Sequence, residues 1–141
     1  MEQLSAFISE NLLLVVAFVV ILFMLLNNLL GAKLKGYHPV SPAEATQLIN
    51  HSEAVIVDVR EDKEYVTGHI VNSIHIPQSG ITSRLSELEK YKQKPVIVSC
   101  RSGSRSAHVC GILKKNGFDQ IHNLSGGIMA WQNASLPITK Q

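Results

Sequence analysis

Read by hydrophobic and polar positions, the chain falls into an apolar block and an alternating part. Leu12 to Leu26, LLLVVAFVVILFMLL, is fifteen apolar residues without interruption, and LLGA resumes after Asn27 and Asn28. From Leu12 to Ala32 a helix is about 31 Å long at roughly 1.5 Å per residue, which matches a hydrocarbon core of roughly 30 Å. Residues 33–40, KLKGYHPV, have Gly and Pro and no apolar period, as a tether does. Beyond them, Ser41-Pro42-Ala43-Glu44 has the form of a capping box and opens a helix to about Asn50. Ala54 to Val59, AVIVDV, predicts a buried strand, and EDKEYVTG a short helix closed by Gly68. A brief strand is expected over Ser73 to Ile76, a helix over Ser79 to Tyr91 and a second apolar strand at PVIVS, 95–99. Ser104 to Asn116 reads as a helix with Lys114 and Lys115 in its last turn and Gly117 beyond it. QIHNL, 120–124, is the next strand and GGIMAW, 126–131, the last short helix. Apolar strands alternating with helices predict an α/β fold: a parallel sheet covered by helices on both faces, three layers in all.

The apolar block has four possible fates. A secretory signal peptide wants a basic start and a small-x-small cleavage site, whereas MEQLSAFISEN carries two glutamates, no Lys or Arg, and no A-x-A pattern follows. A helix apolar on every face exceeds what a domain of about 100 residues encloses. A helix lying in the membrane plane needs a polar face, which is absent. The expectation is a transmembrane anchor at 12–32, with 1–11 before it, a tether at 33–40 and one domain at 41–139. Lys33 and Lys35 follow the anchor while no positive charge precedes it, so the positive-inside rule predicts a single-pass inner-membrane protein with its N-terminus outside and the domain in the cytoplasm.

Charge and cysteine count narrow the chemistry. The 13 Lys and Arg against 11 Asp and Glu of the 141 residues are too balanced for a nucleic-acid surface. Cys100 and Cys110 stand ten residues apart in segments read as loop and helix, with neither disulfide nor zinc spacing. No metal or cofactor is expected from the remaining histidines, which form no ligand set. Cys110 shares a helical face with Ala107 and Leu113 and reads as a packing residue.

Cys100 has a different setting. VIVS runs into Cys100-Arg101-Ser102-Gly103-Ser104-Arg105, and ligands of open parallel sheets sit at the C-terminal ends of strands, where this cysteine stands. A loop of small residues before a helix can turn its N–H groups inward as an anion cradle, with Gly103 supplying the backbone freedom. A thiol in that cradle ionises readily. Between Glu89 and Asp119 the chain has seven Lys and Arg and no acid to oppose this.

From about Ser41 to Leu136 the chain resembles a rhodanese domain, the sulfurtransferase family. Its active loop is similar to Cys-Arg-x-Gly-x-Arg, here Cys100 to Arg105. Asp58-Val59-Arg60, Glu64-Tyr65, Gly68-His69-Ile70 and Ile76-Pro77 look like the N-terminal signature, and Leu124-Ser125-Gly126-Gly127 through Ala130-Trp131 like the C-terminal one. Asn72-Ser73 replaces the Gly-Ala of many members. The resemblance implies that Cys100 takes sulfur from a small donor such as thiosulfate, becomes a persulfide, and passes the sulfur to cyanide, a thiol or a protein acceptor. Arg101, Ser102, Gly103, Ser104 and Arg105 would bind the substrate, the two arginines by charge, with Asp58 and Arg60 as supports of the loop and His69 as a hydrogen-bonding structural histidine of its turn.

Two other functions share these features. A cysteine phosphatase or arsenate-type enzyme also has a thiolate before an arginine, but its pattern would place five residues between them where this chain has four. A membrane-tethered adaptor has no use for an activated thiol.

Overall fold

The computed structural model describes residues 7–140, without the side chains of residues 28–34. Two compact units are present, residues 1–34 and 35–141. Helix α1 covers Leu12–Lys35, all but its last residue in the first unit, and carries no acidic residue in its first turn. Its large apolar side chains are exposed as far as Leu26, apart from the half-buried Val15. Among the described residues no helix is long and apolar enough to cross a membrane. The described side chains of α1 end at Asn27, and the helix from Leu12 to that point is only about 24 Å long at roughly 1.5 Å per residue. The expected anchor continues to Ala32, and residues 28–32 of it lie outside the described side chains, as residues 1–6 lie outside the described residues altogether.

The second unit is built on a five-stranded parallel sheet in the order β1-β6-β5-β2-β4. Its strands are β1 His38–Val40, β2 Val55–Asp58, β4 Ile74–His75, β5 Val96–Ser99 and β6 Ile121–Leu124. A small antiparallel pair joins β3, His69–Ile70, to β7, Ile138–Thr139. Between them run α2 Pro42–Ser52, α3 Asp62–Tyr65, α4 Ser104–Lys115 and α5 Gly127–Asn133. The central strands are apolar on both sides because both sides are covered. Val57, Val96, Val98 and Ile121 pack with Val109 and Leu113 of α4, while Ile56, Ile97 and Leu124 pack with Ala45 of α2 and Trp131 of α5. Val57, Val96, Ile97 and Val98 are fully buried, each worth about 1.5–3 kcal/mol relative to exposure.

Helix α2 starts as its sequence dictates: Ser41 N and Oγ donate to Glu44 Oε2 at 2.7 and 2.8 Å, Glu44 N donates back to Ser41 Oγ at 3.3 Å, and Pro42 fills the first turn. Two expectations change. His38–Val40, read as tether, is an edge strand beside β6 with His38 opposite His122 and Val40 opposite Leu124; with one buried residue in three it has no period to reveal it. Ser79 to Tyr91 is not one α-helix but 3₁₀ turns at Gln78–Gly80 and Leu85–Tyr91. Ser83 Oγ donates to Gly80 O at 3.0 Å and competes with the backbone there. Arg84 grips Glu87 three residues on, the spacing that 3₁₀ geometry eclipses. Ile81 and Leu88 still reach the core.

Register positions the C-terminal edge of the sheet. Asp58 pairs with Ser99 and Val98 with Asn123, so Cys100, the Asp58-Val59-Arg60 corner and the end of β6 meet there.

Candidate active site

Cys100 leaves β5 at that edge and is 1% exposed. The chain after it turns over the sulfur. Gly103, at φ 102, has a left-handed conformation that a side chain resists, and its N–H donates to Cys100 Sγ at 3.1 Å. Ser104 begins α4 immediately afterwards, so the sulfur lies at the N-terminal, positive end of a twelve-residue helix. The Ser106 hydroxyl is 3.3 Å from the same sulfur. Burial pushes the Cys100 thiol up, and the donors from Ser106, Gly103 and Ser102 more than offset it, leaving the thiol below its ordinary value.

The loop is held from two other elements. From β6, Asn123 donates through Nδ2 to Gly103 O at 3.1 Å, and its Oδ1 is 2.6 Å from Ser106 Oγ. From α5, Ile128 N donates to Cys100 O at 2.8 Å and Met129 N to Arg101 O at 3.3 Å. Gly127, at φ 58, makes this approach possible: a Cβ there would collide with Cys100 O and lie 2.5 Å from Arg101 O.

The two loop arginines do different things. Arg105 makes a bidentate pair with Glu64, Nη1 to Oε2 at 2.7 Å and Nη2 to Oε1 at 2.8 Å. The hydrogen bonds from that guanidinium hold Glu64 down at about 2. The expectation that Arg105 meets the substrate is therefore revised: its guanidinium is engaged in fastening α4 to α3 across the mouth of the site. Arg101 is exposed, and among the described residues its guanidinium has no hydrogen-bond or ion-pair partner. Ser102 and Ser104 are exposed and contribute backbone to the turn.

Asp58 and Arg60 are both buried, at 0% and 4% exposure. Arg60 Nη2 donates to Asp58 Oδ2 at 2.7 Å and to Gly68 O at 2.8 Å, and Nη1 to Glu64 O at 3.2 Å. The pair ties α3, which bears Glu64, to the end of β2. His69 hydrogen-bonds Tyr65 O through Nδ1 at 3.0 Å and stacks on the Tyr65 ring at 3.7 Å, a structural placement. Cys110 is buried in the core, and burial pushes its thiol up to about 12. Trp131 packs under the sheet and donates Nε1 to Pro137 O at 3.0 Å.

Beside the loop is an open cleft of about 360 Å³ whose lining includes Lys63, Thr67, Arg101, Ile128, Met129 and Gln132. Lys63, like Arg101, is exposed and unpaired among the described residues. The arrangement can hold a sulfur anion against N–H and O–H donors and receive a second anionic group at a cationic mouth. Among the described residues no three His, Cys, Asp or Glu side chains are grouped to hold a metal ion. Sequence reading missed Ser106, Asn123 and Lys63. Ser106 lies just past the loop, and only the sheet register brings Asn123 to it.

Residues 41–134 match the family model described as the rhodanese-like domain. A curated relative, the uncharacterized protein YibN of Escherichia coli K12, is 33% identical over 141 residues, covering 99% of each chain. The thiosulfate sulfurtransferase GlpE of Actinobacillus pleuropneumoniae is 30% identical over 99 residues, 70% of this chain and 90% of its own. Among solved structures, a rhodanese-related protein of Thermoplasma volcanium superposes with a TM-score of 0.67 at 30% identity, covering 74% of this chain and all of that one.

Proposed function

Because the chain belongs to the rhodanese-like domain family, whose relatives include named sulfurtransferases, we propose that it is a thiosulfate-type sulfurtransferase carrying its sulfur as a persulfide on Cys100. The observation that carries this reading is the sulfur atom itself, buried at a helix N-terminus with the Gly103 N–H at 3.1 Å and the Ser106 hydroxyl at 3.3 Å. In the first step the Cys100 thiolate attacks the outer sulfur of thiosulfate. The donor's S–S bond breaks, sulfite leaves with the electron pair, and the negative charge passes to the terminal sulfur of the persulfide. In the second step a thiol or cyanide attacks that terminal sulfur, and the Cys100 thiolate is the leaving group. Amides around the sulfur hold charge in both steps without moving.

Donor recognition falls to Arg101 and Lys63, the two unpaired cations of the cleft, because Arg105 is engaged by Glu64. The cleft is larger than thiosulfate needs, which leaves room for an organic thiol acceptor over Met129. Intact mass after treatment with thiosulfate should show the addition of one sulfur atom, lost on adding cyanide and absent in Cys100→Ser. Arg101→Ala should raise the KM for thiosulfate about tenfold while the adduct still forms. A folded wild-type protein that never gains sulfur would overturn the reading.

A single-pass anchor at residues 12–32 with the domain on the cytoplasmic side is part of the same proposal. It is supported by the fifteen-residue apolar run, by the lysines after it, and by the exposed apolar side chains of α1. Protein that resists alkaline carbonate extraction from membranes, and is spared by protease added to spheroplasts, is the expected result. Full release by carbonate would remove the anchor, and digestion of the domain would reverse the orientation.

A further inference from the structure

The Ser106 hydroxyl has one proton and two neighbours that want it. Its oxygen is 2.6 Å from Asn123 Oδ1 and 3.3 Å from Cys100 Sγ, and the residue is fully buried, so water cannot supply a second donor from the bulk. The Asn123 amide cannot turn over to offer a donor instead. Its Nδ2 is committed to Gly103 O at 3.1 Å, which fixes Oδ1, an atom that only accepts, toward the serine. The hydroxyl therefore serves either the amide oxygen or the sulfur at any moment.

Which one it serves follows from the state of the sulfur. A neutral thiol has its own proton to give to Ser106 Oγ, and the serine then donates to Asn123. A thiolate has none and accepts a charge-assisted bond, stronger than a bond to a neutral amide oxygen. In a persulfide the charge is on the terminal sulfur, and Sγ is a weak acceptor again. We propose that the Ser106 hydroxyl is a catalytic group of sulfur transfer that follows the charge on Cys100 Sγ, donating to it as a thiolate and returning to Asn123 Oδ1 when the sulfur is a thiol or persulfide.

This rests on the sulfurtransferase reading and assigns Ser106 a place in both steps. During loading it releases Sγ as the Cys100–sulfur bond forms and sulfite departs. During discharge the acceptor takes the terminal sulfur, the S–S bond breaks, its electron pair goes to Sγ, and the hydroxyl swings to meet the new charge. No proton changes hands at Ser106. Asn123 is a positioning residue that holds the hydroxyl when the sulfur does not need it.

The test uses the full chain and two readouts. Alkylation of Cys100 by iodoacetamide is followed against pH by intact mass, and discharge of the thiosulfate-loaded protein to cyanide is followed in single turnover. Ser106→Ala should alkylate about tenfold more slowly at neutral pH, roughly 1.4 kcal/mol, and reach the wild-type rate at high pH. Its discharge should slow by a similar factor, and Ser106→Thr should restore both to within about threefold. Asn123→Ala removes the competing acceptor and also the bond that holds Gly103 O, so it is read against the same change made in Ser106→Ala: it should slow neutral-pH alkylation less when the hydroxyl is present than when it is absent. Ser106→Ala within twofold of wild type in both readouts, or equal slowing by Asn123→Ala with and without the hydroxyl, would overturn the proposal. Failure of wild type to load sulfur would instead end the sulfurtransferase reading, and the alkylation profiles would still report on the hydroxyl.

Discussion

Replacing Gly127 by alanine should damage the active loop from a position that bears no functional group. The built Cβ falls 2.5 Å from both C and O of Arg101 and collides with Cys100 O, all of them backbone, so no flexible side chain can yield. Real Cβ contacts essentially never fall below 3.0 Å, which obliges α5 and the loop to separate by about 0.5 Å or more. The left-handed φ of 58 adds roughly 1–2 kcal/mol for a residue with a side chain, and the overpacking roughly 1–3 kcal/mol. The expected loss of stability is thus about 2–5 kcal/mol. Because Ile128 N holds Cys100 O at 2.8 Å, the shift reaches the nucleophile. A 1 Å misplacement can cost on the order of a hundredfold, so about tenfold in kcat/KM for thiosulfate is expected. Thermal melts and steady-state sulfur transfer measure the two effects. Gly111→Ala is the control: nothing lies within 4 Å of the added methyl, and a helix-interior alanine stabilises by roughly 0.5–1 kcal/mol. A Gly127→Ala protein that melts and turns over like wild type would refute the reasoning.

The Glu64–Arg105 pair predicts an acid-sensitive component of stability. Since Glu64 is held at about 2 in the folded chain, the pair contributes fully above the ordinary glutamate range near 4.3 and is lost as pH falls toward 2; with both side chains about 30% exposed, the contribution is about 1 kcal/mol. The urea midpoints of wild type and Glu64→Gln should converge across that window, and a gap that stays constant down to pH 2 would contradict the linkage. Burial of Cys110, with its thiol pushed up to about 12, predicts that iodoacetamide at pH 8 labels only Cys100 in the native protein and both thiols in urea. Equal native labelling would place Cys110 in a different environment.

The strands that sequence pattern made legible were those buried on both faces, such as VIVS before Cys100, where each position has to be apolar. β1, β3 and β7 were not legible, since two or three residues carry no period and their pairing partners stand far along the chain. The active loop could be read locally because cysteine, glycine and small residues before a helix have few uses together. Its arginines could not be told apart by the same means. Arg105 and Glu64 are 41 residues apart, and only the fold shows that one guanidinium is engaged while Arg101 is free to meet a ligand. Asn123 was hidden for a similar reason: inside IHNL it reads as one polar position in a strand, and its role depends on the β5–β6 register.

Trp131 is the chain's single tryptophan, and it stands four residues into the helix that pins Cys100 and Arg101. Its emission therefore originates entirely within the catalytic unit. Ellipticity at 222 nm, in contrast, combines the 24 residues of α1 with the 34 of α2 to α5. Two optical signals from one unlabelled sample thus differ in what they cover. Fluorescence follows the melting of the domain that holds the sulfur, and the ellipticity that remains once fluorescence has reached its unfolded value belongs to the helix that precedes it.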